Sequence, residues 1–247
     1  MKRIFNWRVG MALALIALSA ALYYTHFRIF HDAHHIFIYL LGDIAFVPVE
    51  VLLVTLIIHH LLEKREKRHL LNKMNMLIGT FFSDVGTDLL RIFSGFDRDS
   101  EALKKALRPD SEWTHGDFDS AKKLVSQHGF SLSVNAGELV EVRDLLSGKR
   151  NLLMNLLANP NLLEHDSFTD LLWAVFHLAE ELQHRDDLAE VPETDLEHLA
   201  GDVERAYGQL LYEWIDYMRH LSKSYPYLFS LAMRTNPFKG RMTAEVH

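Results

Sequence analysis

The sequence predicts an all-α protein: a two-helix transmembrane hairpin followed by a cytoplasmic α-helical domain. Two long apolar runs near the N-terminus predict the hairpin. Segregated charge predicts the division, because only seven of the 59 Asp, Glu, Lys and Arg residues precede Glu63. Twelve Gly and six Pro are too few for a turn-dense β-protein, and helical spacing of apolar residues continues to the C-terminal region. An apolar content of 49% excludes a disordered chain. With no Cys in 247 residues, disulfides, thiolate metal sites and Cys nucleophiles are excluded.

The first span is expected over about residues 9–24, VGMALALIALSAALYY, a run without charge. A cleavable signal peptide is the alternative, because MKRIFNWR is basic and Ala17-Leu18-Ser19 resembles a small-residue cleavage site. The second span is expected over about residues 36–62, long enough to cross a hydrocarbon core of about 30 Å. Lys2, Arg3 and Arg8 precede the first span, and Lys64, Arg65, Lys67, Arg68 and Lys73 follow the second. The positive-inside rule then places both termini in the cytoplasm and the loop Thr25–His35 outside. That loop holds His26, His31, His34 and His35 near Asp32. Neutral imidazoles beside a carboxylate suit a divalent metal ion, but no strict ligand spacing is present, and an interfacial loop is the favoured reading.

Asp43 and Glu50 lie inside the second span, seven residues apart and therefore on one helical face. With Tyr39 and Phe46 they form a stripe that should face protein or water, since a carboxylate near a helix centre costs on the order of 3 kcal/mol in lipid. Pro48 cannot donate to the carbonyl of Ile44, which favours a local kink between the two acids. The leading reading is that the acids are protonated or hydrogen-bonded and hold helices together. The alternatives are a cation or proton path lined by several copies of the helix, and a small-ligand or lipid contact.

Residues 63–93 are expected to form a helical stalk or a membrane-surface helix. Leu70, Met74, Leu77, Phe81, Val85 and Ile92 repeat close to every 3.5 residues, as in pairing helices. Residues 94–247 should form an acidic cytoplasmic domain. A hinge is expected at SGFDRDS from Ser94, then short helices at about 100–107, 117–128, 136–147 and 151–157. Asn135 and Glu138 read as a capping box, and Gly148 as a helix stop. Residues 131–134 read as a short strand without an evident partner. Long helices follow at about 166–187 and 192–222, Pro192 falling in a first turn and Pro226 ending the second.

Residues 74–247 carry 17 Lys and Arg against 28 Asp and Glu, so nucleic acid is not an expected partner. No G-x-x-x-x-G-K-[ST], G-x-G-x-x-G or G-x-S-x-G motif occurs. One constellation has ligand spacing: His177, Glu181 and His184 on one helix, with His198 and Asp202 in reach if the next helix folds back. A full di-iron set needs two Glu-x-x-His motifs and two further glutamates, and only Glu181-x-x-His184 is clear. The expectation is therefore a solvated surface and no cofactor, with a metal ion as the alternative.

The segment FHDAHHIFIYLLGDIAFVPVEVLLVTLIIHHLLEKREKR, within residues 27–70, resembles uncharacterised two-span bacterial inner-membrane proteins. The resemblance implies residence in a bacterial inner membrane and transfers no activity. The expected function is a non-enzymatic, homo-oligomeric membrane module that contacts lipid and presents its cytoplasmic domain to a protein partner. A small homo-oligomeric cation or proton channel is the first alternative, a helical metal-binding enzyme the second.

Overall fold

The computed structural model describes residues 2–98, 100–108, 113–162 and 165–239. The described chain is helical, without named strands. It divides into two compact units, Met1–Lys67 and Arg68–His247.

The first unit is an apolar hairpin of α1 (Lys2–Phe30) and the greater part of α2 (Ala33–Phe81). The helices are long because nothing in either apolar run breaks them. The turn between them is short and specified locally. His31 takes a left-handed conformation, with φ 50°, and the Asp32 carboxylate accepts the His35 N–H at 3.1 Å. That bond satisfies one orphan donor of the first turn of α2. It also holds the Asp32 carboxyl below its usual range. The helix continues through Pro48.

The second unit begins in the last turns of α2 and closes around α8 (Glu193–Ser224). On α8, Leu199, Val203, Ala206, Leu210, Trp214 and Met218 are buried at spacings of three and four. Tyr207, Leu211, Ile215 and Leu221 widen the buried stripe, so α8 meets α3 (Thr87–Phe96), α5 (His115–Gln127), α7 (Asp166–Gln183) and α9 (Pro226–Arg234). A short α4 (Glu101–Ala106) packs on α5, and α6 (Ala136–Leu157) packs on α7.

The repeat over residues 70–93 has a different destination from the one expected. Met74, Phe81, Val85 and Ile92 are buried in their own unit, and Leu70 and Leu77 pack against the same core. Phe81 meets Phe82 and Phe168 edge-on at 5.3 and 5.4 Å, and Phe82 stacks on Tyr217 at 5.2 Å. The face read as a pairing stripe is thus filled within the chain. Between α2 and α3 the helix widens into one π turn, Phe82–Gly86, where the Phe82 carbonyl accepts both the N–H and the hydroxyl of Thr87.

Four further expectations are corrected. Gly148 does not stop a helix, and α6 runs through it. A mid-helix glycine costs about 1 kcal/mol, whereas each buried side chain among Leu139, Val142, Leu146, Leu153 and Leu156 contributes about 1.5–3 kcal/mol, so burial wins. The expected hinge is a fixed corner: Ser94, Asp97 and Ser100 are buried, and Asp97 meets His128 at 2.7 Å. Its Asp99 lies outside the described residues. The segment read as a strand makes one antiparallel bridge, Leu132 to Asp97, with the Ser133 N–H donating to the Phe96 carbonyl. The capping box of Asn135 and Glu138 forms as read, with both reciprocal bonds at 3.0 Å. Pro192 is the N-cap of α8 rather than a residue of its first turn.

Candidate functional site

Within the hairpin, α1 and α2 face each other through aromatic and imidazole rings. His26 stacks on His35 at 5.9 Å with planes 5° apart, and His35 packs on Tyr39 at 4.6 Å. A cavity of about 400 Å³ follows, with Ser19, Tyr23, His26, His35, Tyr39 and Asp43 as its polar lining. His26 Nδ1 is buried there without a hydrogen-bond partner. The stripe read from the sequence therefore divides. Tyr39 and Asp43 line the cavity against α1, while Phe46 and Glu50 lie outside its lining; all four are exposed. Pro48 lies between them within the helix.

The second constellation lies between α7 and α8. A short connection turns the chain back after Gln183, so the two helices run antiparallel and the i, i+4 pair on one faces the i, i+4 pair on the other. His177 and Glu181 come from α7, and His198 and Asp202 from α8. His177 Nε2 is 3.4 Å from Asp202 Oδ2 and 3.8 Å from Glu181 Oε1. His198 Nε2 is 3.5 Å from the same Asp202 Oδ2 and 3.9 Å from Glu181 Oε2. Asp202 is 3% exposed; its Oδ1 accepts from Arg205 at 2.9 Å, while its Oδ2 is buried without a hydrogen-bond partner. Both imidazoles are about half exposed.

Four of the five residues singled out in the sequence are thus brought together. The fifth, His184, is not: its Nδ1 bonds the Glu180 carbonyl at 2.7 Å. As they stand, no three His, Asp or Glu side chains among the described residues close on one bonding centre for a metal ion.

Sequence reasoning missed the arginines that hold this cluster. Arg185 grips Asp195 through two bonds of 2.6 Å and reaches Glu181 Oε2 at 2.8 Å. The bond from Arg185 holds the Glu181 carboxyl below its usual range, with coulombic help from His177 and His198. Asp195 is lowered by the same guanidinium, and the Arg185 pKa rises in return, mainly through its bonds to Asp195. The i, i+4 spacing of Glu181 and Arg185 was readable. The pairing with Asp195 needed the turn. Beside His177, a surface cavity of about 360 Å³ is lined by Asp170, Trp173, Arg205 and Gln209, and Gln209 Oε1 is buried without a hydrogen-bond partner.

These features define a two-unit helical protein, an apolar hairpin joined to a helical domain built on α8. The chain belongs to the MJ1433 family. Residues 2–62 match the family model described as "MJ1433, N-terminal helical domain", and residues 70–234 match "Uncharacterized protein MJ1433, C-terminal helical domain". The chain is 42% identical over 231 residues to "Uncharacterized protein MJ1433" of Methanocaldococcus jannaschii, covering 94% of this chain and 93% of the relative. No solved structure matches the chain.

Proposed function

We propose that the chain is a membrane-anchored module whose hairpin inserts in the bilayer and whose acidic helical unit is presented to a protein partner on the cytoplasmic side. One observation carries this reading: the apolar side chains of the hairpin have nothing to pack on. Leu13, Ile16 and Leu22 of α1 are 62%, 65% and 62% exposed, and Leu41, Val51 and Ile57 of α2 are 71%, 59% and 59% exposed. A core helix of similar composition would be buried, and neither candidate span has any of its apolar window buried. Covering each such side chain is worth about 1.5–3 kcal/mol, so a run of this length needs lipid or another chain against it.

The basic residues flanking the two runs favour a topology with both termini in the cytoplasm. Because the relative is from an archaeon, the membrane proposed is a prokaryotic cytoplasmic membrane and not a bacterial inner membrane alone. Homo-oligomerisation through the hairpin accounts for Glu50, which a lone hairpin leaves on its exposed surface. The cavity that joins Asp43 to His26 and His35 favours a second reading, a cation or proton path lined by assembled hairpins.

Fractionation with a reporter tests the first reading. The chain, fused at its C-terminus to a protein that fluoresces only in the cytoplasm, should be bright. It should stay with membranes through alkaline carbonate and leave them only with detergent. Recovery in the carbonate-soluble fraction would refute insertion, and a dark but expressed fusion would reverse the topology.

A further inference from the structure

We infer that His177, Glu181, His198 and Asp202 form a binding site for a divalent transition-metal ion of the zinc class, clamping α7 to α8. This site belongs to the second unit and stands independently of the membrane reading. Bonds of about 2.0–2.1 Å in a tetrahedral site place neighbouring donors roughly 3.3 Å apart. Asp202 Oδ2 lies 3.4 and 3.5 Å from the two imidazole nitrogens; Glu181 Oε1 lies 3.8 Å from His177 Nε2, and its Oε2, which Arg185 holds, lies 3.9 Å from His198 Nε2. The imidazole–Asp202 spacings already have ligand–ligand length, and the spacing from Glu181 Oε1 to His177 exceeds it by about half an ångström. His177 and His198 are half exposed, so their rings can make that adjustment without disturbing the core.

The buried oxygen is the second, independent observation. A carboxylate oxygen shut off from water needs a partner. Asp202 Oδ2 has no hydrogen-bond partner and stands between the two imidazoles. Neutral imidazoles with carboxylates are the donor set that suits zinc and similar divalent ions, and a chain without Cys has no thiolate to compete. The surrounding groups already orient the donors. Arg205 holds Asp202 by Oδ1 and so leaves Oδ2 as the ligand oxygen. Arg185 holds Glu181 by Oε2 and so leaves Oε1 on the side of His177.

The experiment uses the full chain, purified in detergent and stripped with chelator. Titration with Zn²⁺ is followed by calorimetry and by thermal unfolding, and titration with Co²⁺ by its visible absorption. The wild type should take one ion with saturable heat, a raised unfolding temperature, and the intense visible bands of four-coordinate cobalt. His198→Ala, at a half-exposed position, and Asp202→Asn should each weaken this binding by at least about tenfold. His184→Ala and His34→Ala should leave it intact, which separates the site from adventitious binding by the other histidines. Absence of one-to-one binding in the wild type would overturn the inference. So would its persistence in a helical, cooperatively melting His198→Ala variant, whatever the fate of Asp202→Asn.

Discussion

Two glycine-to-alanine substitutions should move the stability of the second unit in opposite directions. Gly148 is exposed in the middle of α6, with no atom within 4 Å of a built Cβ. Alanine there should stabilise by about 0.5–1 kcal/mol, the usual gain from relieving a helical glycine. Gly86 ends the π turn, and its Cβ would stand 2.7 Å from Phe82 Cδ1 and 2.8 Å from Phe81 Cε1. Both rings are buried and wedged against Phe168 and Tyr217, so they cannot swing into solvent. Overpacking of this kind costs typically about 1–3 kcal/mol, enough to exceed a propensity gain of up to about 1 kcal/mol. At roughly 2–4 °C per kcal/mol for a unit of this size, the two variants should melt on opposite sides of the wild type, several degrees apart. The assay is thermal unfolding of the detergent-purified chain followed by tryptophan fluorescence, to which Trp214, 2% exposed in this core, contributes. A Gly86→Ala variant as stable as Gly148→Ala would refute the argument, because it would mean that the rings around the π turn yield without cost.

Two further outcomes follow from named acids. Glu213 is buried, and that burial pushes its carboxyl above the usual range, opposed by a bond from Ser167. A raised pKa means the folded state keeps its proton longer, so this contribution is present below about pH 4.3 and is lost as pH rises through the folded value. Glu213→Gln should therefore gain stability over the wild type towards neutral pH, and a stability difference that does not change with pH would contradict it. In the hairpin, Asp43→Asn and Glu50→Gln keep shape and remove charge. If the acids pack helices in neutral form, oligomer mass and liposome flux should both be unchanged; wild-type cation flux that disappears in Glu50→Gln at constant mass would favour the ion path.

Residues with regular spacing announced their elements from the sequence alone. The hairpin runs, the capping box at Asn135 and the long helices of the second unit all rest on local periodicity and local hydrogen bonds, which neighbours in sequence determine. A fold-back between the helices expected at about 166–187 and 192–222 entered only as a condition; it occurs, with α7 ending earlier than read, at Gln183. That sufficed to bring His177, Glu181, His198 and Asp202 together on paper. It failed at His184, which falls at the helix end where its ring turns back to the Glu180 carbonyl.

What periodicity cannot say is which surface a stripe meets. The stripe from Leu70 to Ile92 has the repeat of a pairing helix, yet Phe81 and Phe82 close on Phe168 and Tyr217 of the same chain. Gly148 has the residue type of a helix stop, yet buried leucines on both sides carry α6 through it. The unsatisfied oxygen of Asp202 and the double grip of Arg185 on Asp195 are likewise products of packing. Burial and orientation depend on side chains far apart in sequence, and only the tertiary structure decides which of them meet.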